Sequence, residues 1–258
     1  MTELVDLTIA ELRANHHRLA AFVDELEESQ LKSPSGAAEW TIADVLSHLG
    51  SGAEIQHHTI SRALGLEDEA PENQPIWDRW NSLPPGEQAT GFVEQDERLV
   101  ALYESLTPEQ RTSVVVDLGF LPAPVPVVTP LAMRLNEQTL HGWDARVGVD
   151  PSAGLSDAGA GLVLDHYAGA MSFLLGLVGK PDQVSEPVRL AVGGHTIAIG
   201  DSVSLEPGTD GATARYDGPL EAAVRLVAGR LSPEHTPAAV AVSGNVSLDE
   251  LRRVFPGY

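Results

Sequence analysis

In the stretch NEQTLHGWDAR, residues 136–146, Glu137 and His141 lie four positions apart. On a helix that spacing stacks both side chains on one face. A carboxylate and an imidazole so placed can share a metal ion, although the pair alone equally fits an incidental surface contact. A third donor is available in IADVLSHLG, where His48 accompanies Ile42, Val45, Leu46 and Leu49, whose spacing marks the buried side of a helix. A helical bundle can bring one residue of one helix and two of another together in its core. Two imidazoles and one carboxylate suit a borderline divalent cation such as Zn²⁺. Three protein ligands leave one position open, the pattern of a catalytic rather than a structural zinc. Water held there would acidify to a pKa of roughly 7, whereas a thiol would lose its proton and become a nucleophile.

The same residues also fit a blander reading, since a histidine near an apolar face is commonly a hydrogen-bonded core or surface residue. His57 and His58 compete with His48 as ligands, but they precede the polar end of that helix and read as solvated. His16 and His17 read as surface residues of the first helix. His166, His195 and His235 lie in the second half of the chain, and no chemistry is assigned to them.

The elements that must position these residues follow from apolar spacing. In DLTIAELRANHHRLAAFVDELEE, Leu7, Leu12, Leu19, Phe22, Val23 and Leu26 recur at helical intervals. A Pro- and Gly-containing loop, KSPSGAAEW, precedes a second helix, TIADVLSHLGSGAEIQHHTISRAL. Thr41 can cap its N-terminus, with Asp44 completing a variant of the capping box. A looser segment, GLEDEAPENQPIWDRWNSLPP, leads to a third helix from Gly86 to Leu106. The Pro-rich LGFLPAPVPVVTP cannot be a regular helix. The fourth helix runs from about Pro130 to Val147, with the proline in its first turn. Four helices with such loops point to a bundle.

After VGVDPSAG the texture changes. LSDAGAGLVLDHYAGAMSFLLGLVG reads as one apolar helix over 156–178. EPVRLAVGGHTIAIGDSVSLEP carries β-branched runs around Gly-Gly, a hairpin signal. ATARYDG reads as a further strand, PLEAAVRLVAGR as a helix, AAVAVSG as a short strand and SLDELRRVF as a closing helix. The fold class is therefore α+β, with a helical domain over 1–150 and a small α+β domain over 151–258.

With 258 residues the chain can bury a sizeable core. Lys plus Arg number 16 and Asp plus Glu 37, a formal net charge of −21. That field repels phosphate backbones and anionic membranes, and the only adjacent basic pair is Arg252–Arg253, so no nucleic acid or membrane partner is expected. No uninterrupted apolar run of about 18 residues is present. The N-terminus shows no basic region followed by an apolar stretch, so a cytoplasmic location is expected. The chain contains no cysteine, which excludes disulfides, thiolate-ligated zinc and a cysteine nucleophile. Any thiol chemistry must use sulfur on a small molecule. Only Lys32 and Lys180 are lysines, and with abundant Ala, Gly and Val this points to a high-GC bacterial genome.

The pattern WTIADVLSHL around His48, with EQTLHGWD around His141, resembles the mycothiol-dependent maleylpyruvate isomerase family, one branch of the DinB-like metal-binding bundles. The C-terminal stretch DGPLEAAVRLVAGRLSPEHTPAAVAVSGNVSLDELRRVFPG is similar to that family's second domain, so the resemblance covers nearly the whole chain in order. It implies that His48, Glu137 and His141 bind zinc. It also implies a DinB-like four-helix bundle followed by a small α+β domain related to sterol-carrier-like folds. The implied cosubstrate is mycothiol, the small-molecule thiol of actinobacteria. The implied activity is addition of its thiolate to an electrophilic small molecule, as an S-transferase or as a cis–trans isomerase. The resemblance further implies a functional arginine after the first metal histidine. Arg79, in IWDRWN, is the nearest by position; it equally reads as a surface arginine. A dicarboxylate substrate would need cationic partners in so anionic a chain, and Arg79, Arg134 and Arg146 are the candidates. Arg146 and Asp144 equally fit helix-end contacts, and Trp143 reads as packing in the bundle wall. Two other activities remain open on the same scaffold: a metal-dependent hydrolase using zinc-bound hydroxide, and a non-catalytic small-molecule binding protein. The second would be expected to show a broken triad, and here the triad is whole.

Overall fold

Thr41 opens the second long helix as its spacing predicts. Its N–H donates to Asp44 Oδ2 at 2.9 Å, and Asp44 N–H donates back to Thr41 Oγ1 at 3.2 Å, closing the capping box. In this computed structural model, which describes residues 2–69 and 71–257, the chain divides into two units. One runs up to Ala153 and the other starts at Gly154. The first contains α1 (Thr2–Glu25), α2 (Glu28–Leu31), α3 (Ile42–Ala63), α4 (Asn73–Ser82), α5 (Pro85–Glu104) and α6 (Gln110–Ser113). A two-stranded ribbon follows, β1 (Val115–Val116) with β2 (Val125–Pro126), and then α7 (Val128–Val147).

The four long helices α1, α3, α5 and α7 form the bundle. α3 packs on α5 and α7, and α1 packs on the same two helices. Burial on α1 falls at Val5, Thr8, Ile9, Glu11, Leu12, Asn15, His16 and Leu19, a single stripe at three- and four-residue steps. Leu7 lies off that stripe and is exposed. α7 is the central helix: fifteen of its twenty residues are buried. A helix enclosed on so many sides can carry polar groups only where they find partners.

Two expectations are corrected in this unit. The segment 65–85 is not loose throughout, because α4 forms within it. Ile76 and Trp80, one turn apart, are buried, and Trp80 lies directly over Gly50 of α3, where an added Cβ would sit 2.2 Å from its ring. Tertiary packing of two anchors, not propensity, makes this helix. His16 is not a surface residue. It is buried on the apolar stripe of α1, while His17 is exposed.

The second unit contains α8 (Asp157–Ala168), α9 (Ser172–Val178), β3 (Val188–Val192), β4 (His195–Ile199), β5 (Val203–Pro207), β6 (Ala214–Asp217), α10 (Leu220–Val227), β7 (Ala241–Gly244) and α11 (Leu248–Val254). The five strands order as β5-β4-β3-β6-β7, antiparallel except for the parallel β3–β6 pair. The hairpin expected at Gly-Gly is β3–β4. Its two-residue loop, Gly193–Gly194, has φ values of 52° and 81°, the left-handed pair that this turn demands and glycine supplies. The single helix expected over 156–178 is broken. The chain turns by 84° between α8 and α9 at Gly169 and Ala170. Among the described residues no single helix is long and apolar enough to cross a membrane.

Candidate metal centre

α3 and α7 bring together side chains 89 residues apart in sequence. His48 Nε2 lies 2.8 Å from Glu137 Oε2, and His141 Nε2 lies 3.5 Å from the same oxygen. One ligand atom from each of the three residues falls within 4.8 Å of the others. Donors around a tetrahedral zinc at 2.0–2.1 Å stand about 3.3 Å apart, so the two separations to Glu137 Oε2 lie within about half an ångström of that spacing, and the two imidazoles come within 4.8 Å of each other. Burial pushes the Glu137 carboxyl up. The hydrogen bond with His48 and the nearby His141 and His48 charges outweigh it and hold the group at about 2.

The imidazoles are held by what surrounds them. His141 Nδ1 lies 2.8 Å from Oδ2 of Asp144, one turn on and completely buried. An ionised carboxylate only accepts, so Nδ1 carries the proton and Nε2 presents its lone pair to the shared centre. Trp40 stacks on His141 at 5.9 Å and tilts against His48 at 5.2 Å between ring centroids. Its loop is firmly fixed: Ser35 Oγ and N–H both donate to the Trp40 carbonyl at 2.9 Å, and Ile42 N–H donates to Ser33 O at 3.0 Å. Glu39, just before it, has φ 65°, a left-handed backbone that costs a non-glycine residue about 1 kcal/mol. That strain is stored where the loop delivers the indole to the two histidines.

Below Glu137 lies a buried ion network that ties the four long helices together. Asp96 of α5 is fully buried and accepts from Arg134 Nη2 at 2.6 Å and Gln138 Nε2 at 2.5 Å, both on α7. It also meets His16 Nδ1 of α1 at 2.9 Å. Arg134 donates through Nη1 to the Leu49 carbonyl of α3 at 3.0 Å. Burial raises the Asp96 carboxyl, but Arg134 and the hydrogen bonds from His16 and Gln138 outweigh it and leave it below its ordinary range. Arg134 therefore sets the height of α7 against α3, the two helices that carry the triad.

Two cavities flank His48. One, of about 370 Å³, is bounded by His48 and Glu137 and continues past Arg62 and Phe120. The other, of about 470 Å³, is lined by Trp40, Asp44, His48, Ser51, Trp77 and Asn81. Arg79, expected from its position to be functional, lines neither cavity and pairs with Glu54 of α3, whose other oxygen accepts from Trp80 Nε1 at 2.7 Å. Arg134 borders the first cavity with its charge already matched. Arg146 donates through Nε to the Gly142 carbonyl at 3.1 Å and lines neither. Trp143 packs in the bundle wall, its Nε1 donating to Ala153 O at 2.7 Å. His57 and His58 lie apart from the triad, and His58 Nδ1 meets Glu67 at 2.7 Å. Three residues of this centre escaped the sequence reading. Asp144 had a signal, a carboxylate one turn beyond His141, and Trp40 opens the WTIADVLSHL pattern; Arg62 had none.

Comparison with known proteins agrees with this architecture. Curated proteins yield no match to the chain. Among solved structures, the crystal structure of the mycothiol-dependent maleylpyruvate isomerase superposes with a TM-score of 0.62 at 17% identity, covering 94% of both chains. A histidine-to-alanine mutant of that isomerase gives the same values. At this identity the likeness concerns the fold. The sequence model of the mycothiol maleylpyruvate isomerase N-terminal domain matches residues 12–146, a span that holds His48, Glu137 and His141 and more than half of the chain. By that match the chain belongs to the mycothiol maleylpyruvate isomerase family.

Proposed function

We propose that the chain is a zinc-dependent enzyme that activates mycothiol as its thiolate for addition to an electrophilic small molecule, as an S-transferase or a cis–trans isomerase. The observation that carries this reading is the convergence of two imidazoles and one carboxylate beside two cavities, with Asp144 orienting one imidazole from a fully buried position. Family membership supports the thiol, because the solved isomerase with this fold is named as mycothiol-dependent.

His48, Glu137 and His141 would hold the cation, and His141 is kept in the required tautomer by Asp144. A divalent cation in such a site stabilises a sulfur anion, which is the nucleophile. Trp40 lies against both imidazole rings and limits the orientations open to them. Arg134, locked to Asp96 and Leu49, holds α7 so that Glu137 stays opposite His48. Addition of a thiolate to an activated cis double bond leaves a single bond that rotates, and elimination restores the double bond as trans. For a transferase the adduct is released instead.

Metal analysis of the purified protein beside His141→Ala, followed by mycothiol titration of both, tests this. The expectation is about one zinc per parent chain and a substantial loss in the variant, since removal of one of three ligands strips affinity. Equal metal in the two removes His141 from the site. A zinc form that ignores mycothiol but hydrolyses substrate in water alone assigns the scaffold to hydrolysis.

A further inference from the structure

The cavity of about 370 Å³ beside the triad has an uneven charge balance. Its walls include Ile55, Leu118, Phe120 and Met133. Phe120 lines the space while 65% exposed. Two guanidinium groups border the space. That of Arg134 is matched by Asp96 at 2.6 Å. That of Arg62 donates only to the Asp117 backbone carbonyl at 3.4 Å and has no carboxylate within ion-pair distance among the described residues. Asp117 itself also lines the cavity. At the triad, Glu137 and a bound thiolate would balance the two charges of a divalent cation held there.

One cation is therefore free, one carboxylate stands near it, and the chain as a whole carries −21. Resting on the function proposed above, we infer that the electrophile taken by this cavity is an apolar molecule bearing at most one carboxylate, which Arg62 anchors. A dicarboxylate would bring its second charge beside Asp117 and Glu137, with no second unmatched cation among the described lining residues, in the field of a strongly anionic chain. Arg62 is the specificity-determining residue, and the apolar walls hold the rest of the molecule.

Three unreactive saturated ketones on one scaffold test this by calorimetry on the zinc-loaded protein: the methyl ester of 4-oxo-4-phenylbutanoate, the free monocarboxylate, and its para-carboxyphenyl dicarboxylate. The monocarboxylate is expected to bind at least tenfold more tightly than the dicarboxylate. Arg62→Gln is expected to weaken the monocarboxylate about two- to fivefold, the range of an exposed ion pair, and to leave the ester unchanged. A dicarboxylate that binds as well as the monocarboxylate overturns the inference. So does an equal loss for the ester in Arg62→Gln, or no binding by any of the three. These readings need no thiol, so their failure is distinct from a failure of mycothiol to bind.

Discussion

Asp144 and His141 share a 2.8 Å contact one turn apart on α7, and the carboxylate has no exposure. The pair is a positioning device, because the buried acceptor dictates which imidazole nitrogen is left for coordination. Asp144→Asn keeps the shape but lets the side-chain amide present either a donor or an acceptor to Nδ1. Outer partners of this kind are worth 10- to 100-fold in metal affinity. Competition with a chromophoric chelator is expected to show zinc affinity lowered by roughly that factor in Asp144→Asn, with circular dichroism unchanged. Unaltered affinity would show that the triad needs no such support.

Gly50 and Trp80 make the joint between α3 and α4. Glycine inside a helix normally costs about 1 kcal/mol relative to alanine, so Gly50→Ala would stabilise α3 in isolation. Here the new Cβ would meet the Trp80 ring at 2.2 and 2.4 Å. Overpacking of that kind costs about 1–3 kcal/mol and outweighs the gain. α4 also carries Trp77 and Asn81 to the cavity beside His48. Denaturant unfolding of Gly50→Ala is expected to show net destabilisation, with a shifted tryptophan emission in the folded state. A more stable variant would mean that α4 moves aside freely.

The triad was legible because its chemistry is written locally: two ligands one turn apart, and a third on a helix announced by its capping box. Asp96, Arg134 and His16 were not legible. Each sits on a different long helix; Asp96 and His16 read alone as a surface charge and a surface polar group, and Arg134 as a cation for substrate, and only the assembled bundle lets them satisfy one another. His16 nevertheless lies four residues after Leu12 and three before Leu19, squarely on the buried stripe. Its polar identity hid a position that its spacing revealed. The break after Ala168 was missed for a complementary reason, since an apolar run shows burial but not direction. α4 was missed because two anchors in ten residues make no period.

His166, in α8, is fully buried, and burial pushes its imidazole down from 6.5 to about 4. The folded state thus prefers the neutral form more strongly than the unfolded chain does. Its stability contribution is complete above pH 6.5 and falls away as pH drops towards 4. At 1.36 kcal/mol per unit the loss is about 3 kcal/mol. His166→Leu removes the group that must be charged on unfolding. Unfolding midpoints at pH 7, 5.5 and 4.5 are expected to decline more steeply in the parent than in His166→Leu. Parallel declines would place the acid sensitivity elsewhere.

Asp96 answers in a lower window with the same sense. Its folded value lies below the ordinary 3.8 despite complete burial, because Arg134, His16 and Gln138 favour the charged form. Its contribution is therefore full above about pH 4 and is lost as pH falls towards the depressed value. Asp96→Asn leaves the Arg134 guanidinium buried without a counter-charge. Breaking one side of a buried pair typically costs about 3–5 kcal/mol, so the variant is expected to be that much less stable at pH 7. Below pH 4 the gap should narrow, because protonation does to the parent what the substitution has done to the variant. A gap that stays constant to pH 3 would mean that folding does not depress the Asp96 carboxyl. A gap near zero at neutral pH would mean that the cost of burying these charges cancels their attraction, leaving alignment of α7 as their only contribution. Zinc affinity of the same variant separates these cases, since a tilted α7 moves Glu137 away from His48 whether or not the fold has weakened.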